Sequence, residues 1–152
     1  MIDWTKPRSQ LTKHFTIHDA LYLPSWKIYH IPSEEEKLNI IKQAEVMEKI
    51  REFLGLPIII SCWIRPSSVN CPVSVYHGKN YNQFVKGSKN SAHIVGLATD
   101  WYIKGKKCDD IRLLLVPKLE EFKIRLEDFP GSNWLHTDIA PVKYKRLFIP
   151  SI

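Results

Sequence analysis

Two stretches, 91-SAHIVGLATD-100 and 133-NWLHTDIA-140, decide how the rest of this chain is read. Each sets reactive side chains beside an apolar run of strand length. Residues 95–103 read as one strand and 133–139 as part of another. Gly96 permits close backbone approach, and with Ala98 it leaves room between neighbouring side chains. The two stretches supply His93, Asp100 and His136. Two imidazoles and one carboxylate suit a catalytic zinc, which takes three protein ligands and leaves a position open for water. Seven positions separate His93 from Asp100, so a loop or strand edge can aim both at one point. His136 then arrives from a separate strand.

Working outward, Thr16 and Asp19 have capping-box spacing for a short helix through Ala20 and Leu21. Pro24 and Pro32 bracket an aromatic loop with Trp26, Tyr29 and His30. Ser33 and Glu36 open a longer helix carrying Leu38, Ile41, Val46, Ile50 and Phe53, closed by Gly55 and Pro57. The run 57-PIIISC-62 reads as a buried strand. Residues 63–90 are rich in Pro, Ser, Asn and Gly and read as loop, with a helical turn near 82–85. Residues 109–122 are helical in pattern, kinked or divided at Pro117. Residues 123–127 and 133–139 form a hairpin about Pro130-Gly131. The sum is an α+β fold, a small antiparallel sheet with flanking helices, in one domain over 1–152.

Hydrophobic residues make up 44% and charged residues 25% of the 152, ordinary globular usage. No apolar run is long enough to span a membrane, and the opening MIDWTKPRSQLTKHF lacks the apolar core of a secretory signal. The formal charge of +6 favours anionic partners such as a bacterial wall, or serves plain solubility. Without a basic stripe interleaved with aromatics, it does not point to a nucleic-acid groove. Cys62, Cys71 and Cys108 are odd in number and form no CxxC pair, so they read as packing residues of a chain made in a reducing compartment. His14, His18, His30 and His77 read as surface or satisfied core residues.

In order along the chain, 62-CWIRPSSVN-70, 91-SAHIVGLATD-100 and 134-WLHTD-138 resemble the SWIRPxxVN-like, SxHxxGxAxD and WxHxD elements of a known family. It is that of the zinc D-Ala-D-Ala carboxypeptidases and murein endopeptidases with the hedgehog-like fold. The opening LTKHFTIHDAL resembles the start of its phage and bacterial branch, so the likeness runs from about Leu11 to Pro141. It implies a hedgehog-like metallopeptidase fold, with His93, Asp100 and His136 as zinc ligands. It makes Arg65 the cation that binds or polarises the peptide and Ser91 part of the site wall. A planar guanidinium independently suits a carboxylate or a developing oxyanion. On a strand, Trp134, His136 and Asp138 share a face, so Trp134 would flank the substrate.

Several branches of that family place an acid three residues before the last histidine, where this chain has Asn133. An amide cannot take a proton from water. Glu127, Asp128 and Asp138 are the replacements. A hairpin about Pro130-Gly131 sets Arg125 opposite His136 and Glu127 opposite Trp134 on the metal face, with Asp128 facing away. Asp138 needs no such register and is alternatively a partner that orients His136. Asp138 and Glu127 are thus the candidate catalytic carboxylates.

The function expected is a zinc-dependent peptidase, monomeric, cutting peptidoglycan stem peptides next to D-amino acids as a carboxypeptidase or endopeptidase. Made in the cytoplasm without a signal, it would act at the bacterial wall, as a phage lysis enzyme does. The alternative is a non-catalytic, zinc-containing wall-binding or structural module. An iron oxygenase uses the same donor types. There the HxD usually comes first with the distal histidine much later, whereas no histidine follows His136 here.

Overall fold

The computed structural model describes residues 1–67 and 79–150. Cys71, His77 and residues 68–78 of the 63–90 loop lie outside the described residues. Helix α1 (Ile17–Leu21) opens on the expected capping box, with Thr16 accepting from Asp19 N–H and Asp19 accepting from Thr16 N–H. The long helix α2 (Glu34–Leu54) is likewise capped by Ser33 and Glu36. Its first turn carries Glu34, Glu35 and Glu36, which favour the positive end of the helix dipole. It ends where Gly55 takes the left-handed conformation, φ 68°, open to glycine without a Cβ penalty. Its buried stripe is Ile40, Gln43, Ala44, Met47 and Ile50, at helical spacing but one step round from several positions the sequence suggests.

That stripe covers one face of a five-stranded sheet built from β3 (Ile59–Cys62), β4 (Ala98–Tyr102), β5 (Arg125–Glu127), β6 (Leu135–Asp138) and β7 (Leu147–Phe148). The order is β3-β4-β6-β5-β7. All neighbours run antiparallel except β5 and β7, which are parallel. The sheet is therefore mixed rather than purely antiparallel. Sequence reading misses β7 because two residues carry no periodicity. A second, two-stranded sheet pairs β1 (Tyr22–Leu23) with β2 (Ile28–Tyr29) inside the supposed aromatic loop. The run PIIISC is not a buried central strand. It forms the edge strand β3, with Ile59 38% exposed.

Alternation along the strands sorts side chains between the two faces. Thr99, Trp101, Leu135 and Thr137 are fully buried. Gln43 of α2 donates to Thr99 Oγ1 and to the Thr137 carbonyl at 3.0 and 3.1 Å. Asp100, His136 and Asp138 consequently project from the opposite face. The β4–β6 register sets Asp100 directly opposite His136. The β5–β6 register sets Arg125 opposite Asp138, two residues from the expected pairing. A two-residue shift keeps every side chain on its face. Continuing that register sets Glu127 across from His136 rather than Trp134.

The remaining helices are α3 (Tyr81–Phe84), α4 (Cys108–Leu115) and α5 (Leu119–Phe122), the last two separated by a 3-10 turn at Val116–Lys118. Pro117 sits in that turn and divides the helix as its missing N–H requires. Residues 92–95 form another 3-10 turn, so β4 begins three residues later than the sequence suggests. Gly96 closes this turn with φ 82°. A Cβ there would stand 2.8 Å from Ile40 Cγ1. The close approach is thus to α2.

Candidate metal centre

His93, Asp100 and His136 come together on the sheet face opposite α2. His93 Nε2 lies 3.0 Å from Asp100 Oδ1 and 3.1 Å from His136 Nδ1. His136 Nδ1 lies 2.9 Å from the same Asp100 oxygen. Three potential ligand atoms from a 3-10 turn and two strands thus form one small triangle. A tetrahedral zinc with bonds of roughly 2.0–2.1 Å spaces its ligand atoms about 3.3–3.4 Å apart, so an outward movement of a few tenths of an ångström admits the ion.

The far nitrogens fix which lone pairs face that point. His93 Nδ1 is 2.6 Å from the Trp63 carbonyl, which can only accept. Nδ1 therefore carries the hydrogen, and Nε2 presents its lone pair to the triangle. His136 Nε2 is 2.8 Å from Asp138 Oδ2 and donates to it, leaving Nδ1 for the centre. Such outer partners orient the rings that ligate metals. Asp138 is wholly buried and itself held: Arg125 grips it through Nε and Nη2 at 2.7 and 2.8 Å, and Ala140 N–H donates at 3.1 Å.

The electrostatics follow from burial and these partners. Burial pushes the His93 pKa down, only partly opposed by Asp100, so this ring stays neutral. Burial acts the same way on His136, but its bonds to Asp100 and Asp138 outweigh it and raise that ring to about 9. Burial works to raise Asp100, and His93 and His136 reverse this, holding it well below the usual carboxylate range. Asp138 is lowered too, because His136 and Arg125 overcome its burial. In its charged form the His136 ring holds a hydrogen on Nδ1 that a metal ligated there would replace.

No protein-family model, curated protein or solved structure matches the chain.

The sequence reads Cys62 as packing, yet the structure brings it into this group. Cys62, His93 and Asp100 offer ligand atoms all within 4.8 Å of one another, His93 buried and the other two partly so, a set that could hold a metal ion. The Cys62 sulfur lies 3.9 Å from His93 Nδ1, the nitrogen already engaged by Trp63. Burial and the Asp100 charge push its thiol up to about 12, so it is neutral until a metal takes the place of its proton. His136 Nδ1, 3.1 Å from His93 Nε2 and 2.9 Å from Asp100 Oδ1, is the alternative third ligand. Sequence spacing carries no sign of Cys62, which enters because β3 sets it opposite Asp100.

Arg65 hydrogen-bonds Ser91 Oγ at 2.8 Å, while its backbone N–H donates to the His93 carbonyl. Its Nε is buried without a partner among the described residues. Its positive charge acts on His93, Cys62 and Glu127. Ser91 also caps the turn that carries His93, accepting from His93 N–H at 3.2 Å. Trp134 lies just before β6, half-buried, tilted against Phe129 at 5.5 Å. Asn133 is exposed.

Glu127 is half-buried and makes no side-chain hydrogen bond or ion pair among the described residues. Burial raises its pKa, as does the Asp100 charge, while His136 opposes the rise. Buried Arg112, which sequence reading passes over, fixes the connection around it. Arg112 donates to the Glu127 carbonyl at 3.2 Å, to Ser132 Oγ at 2.9 Å and to the Trp134 carbonyl at 3.4 Å.

Proposed function

We propose that the protein is a zinc-dependent peptidase that hydrolyses peptidoglycan peptide bonds next to D-amino acids. The observation that carries this reading is the His93–Asp100–His136 triangle, with each imidazole's outer nitrogen tied off so that its inner nitrogen and an Asp100 oxygen meet at one point. The substrate class rests on the resemblance of CWIRP, SAHIVGLATD and WLHTD to the zinc D-Ala-D-Ala peptidases of hedgehog-like fold.

Zinc bound there supplies a Lewis acid and a water acidic enough to ionise near neutral pH. The two candidate carboxylates then divide the remaining work. Asp138 is saturated by Arg125, Ala140 N–H and His136, so its role is to hold His136 in place. Glu127 has free oxygens and a raised pKa, the properties of a group that takes a proton from the attacking water and returns it to the leaving amine. Arg65 faces the oxygen on which negative charge develops, with Ser91 holding its Nη2. Trp134 flanks the substrate.

A second reading is favoured by Asn133, which stands where several family branches carry an acid. In that reading the chain is a zinc-containing wall-binding module without catalysis. Amino-group release from purified peptidoglycan, measured with chelator and after zinc add-back, separates the two. Chelator-sensitive release restored by zinc is expected. No release by folded, zinc-loaded protein that still binds sacculi sinks the peptidase and leaves the binding module.

A further inference from the structure

A groove of about 360 Å³ runs along the outer edge of β3, lined by His18, Asp19, Tyr22, Pro24, Ile58–Ile60, Ser61 and Cys62. It has three properties the metal centre does not explain. One wall is the unpaired edge of a sheet, since among the described residues only β4 pairs with β3. A strand edge offers a row of main-chain donors and acceptors to another chain. The opposite wall is α1 with β1, where the ring of His18 stacks on that of Tyr22 at 4.9 Å. Between the walls Asp19 is the only carboxylate among the lining residues. Its Oδ2 takes the N–H and hydroxyl of Thr16, while Oδ1 has no partner among the described residues.

The groove and the candidate metal group share Cys62. This residue sits opposite Asp100 in the β3–β4 register. Just before it, Ser61 is the extra residue of a bulge between Ile60 and Cys62, and its hydroxyl bonds to the Asp100 carbonyl at 3.1 Å. Bulges bend an edge strand and re-aim its side chains, often beside active sites. An extended chain lying on β3 is therefore delivered toward Asp100.

We infer that this groove is the substrate-peptide subsite of the metal centre. An extended peptide pairs its main chain with the free edge of β3 and sets an amino-bearing side chain against Asp19 Oδ1, beside the His18–Tyr22 rings. A carboxylate among apolar and aromatic walls selects a cation over a neutral or acidic group. This rests on the peptidase reading but adds where the peptide lies and which residue of it is selected.

The test compares two synthetic stem peptides, Ala-γ-D-Glu-Lys-D-Ala-D-Ala and the same peptide acetylated on the lysine, with zinc-loaded protein. Loss of one charge-assisted hydrogen bond raises KM about tenfold, with kcat within about twofold. Wild type is expected to show that difference between the peptides. Asp19→Asn, whose amide oxygen can still accept from Thr16, is expected to abolish it. Ile59→Lys, which places a charge on the edge, is expected to raise KM for both peptides. The acetylated peptide on wild type carries the test without any substitution, should the change at Asp19 loosen α1. Equal KM for the two peptides on wild type, with Ile59→Lys unchanged, overturns the inference and leaves the peptidase intact. If neither peptide is cut, the peptidase reading fails first. Amide resonances of Ile59–Cys62 then decide: shifts on adding the lysyl peptide that acetylation weakens keep the groove, and their absence removes it.

Discussion

Two buried histidine–carboxylate pairs in this molecule look alike and do different things. His30 Nε2 meets Glu36 Oε2 at 2.9 Å, and His136 Nε2 meets Asp138 Oδ2 at 2.8 Å. Glu36 also accepts from Ser33 N–H, so the first pair staples the start of α2 to the segment before it. The other nitrogen of His30 is buried without a partner among the described residues. The other nitrogen of His136 faces a second imidazole and a second carboxylate within 3.1 Å. What separates the two histidines is therefore where the second nitrogen points.

The largest effect that can break this comparison is loss of the ion. His93→Ala and His136→Ala each remove a vertex of the triangle and are expected to abolish both zinc binding and hydrolysis. His30→Ala is expected to keep the zinc and most of the activity while costing about 1–3 kcal/mol of stability for the bond lost at Glu36. Zinc competition with a chromogenic chelator, beside chemical unfolding, reads both quantities. A His30→Ala protein without zinc, or a His136→Ala protein with it, would end the distinction.

A smaller effect sharpens the division of labour between carboxylates. Glu127→Gln is expected to lower kcat by about 10²–10⁴-fold with zinc affinity unchanged, as for loss of a proton carrier. Asp138→Asn is expected to weaken zinc by about 10–100-fold, as for loss of a group that orients a ligand. The reverse pattern would make Asp138 the base.

Where a signal is local, the residues alone announce it. The capping boxes at Thr16 and Ser33, the left-handed Gly55 and the break at Pro117 each sit within a few positions of the structure they dictate. The alternation in WLHTD puts His136 and Asp138 on one face whatever strand lies beside them. What the residues do not announce depends on pairing between distant segments. PIIISC is apolar enough for a buried strand, yet it ends up at an edge because β4 and β6 bind each other. Cys62 joins the metal group only through a bulged register with β4, which no spacing in the chain encodes. The β5–β6 register differs by two residues from the hairpin expected, and Glu127 stays on the metal face because side-chain direction repeats every two.

The smallest predicted effect concerns the charge on the His136 ring. In the metal-free protein, burial disfavours the charged His136 ring, but Asp100 and Asp138 prevail and raise its pKa to about 9, against roughly 6.5 in an unfolded chain. A group raised on folding contributes its full stabilisation below the unfolded value and loses it as pH climbs through the folded one. The metal-free protein is therefore expected to lose on the order of a few kcal/mol between about pH 6.5 and 9 from this ring. Zinc held at His136 Nδ1 would replace the proton of the charged ring, so the loaded protein should not share the decline. Zinc affinity should instead rise about tenfold per pH unit over the same window and level off above it. Calorimetry in buffers of different ionisation heat should then find about one proton released per zinc near neutral pH. A binding heat indifferent to the buffer would mean that His136 holds no displaceable proton, and the triangle would lose its third vertex.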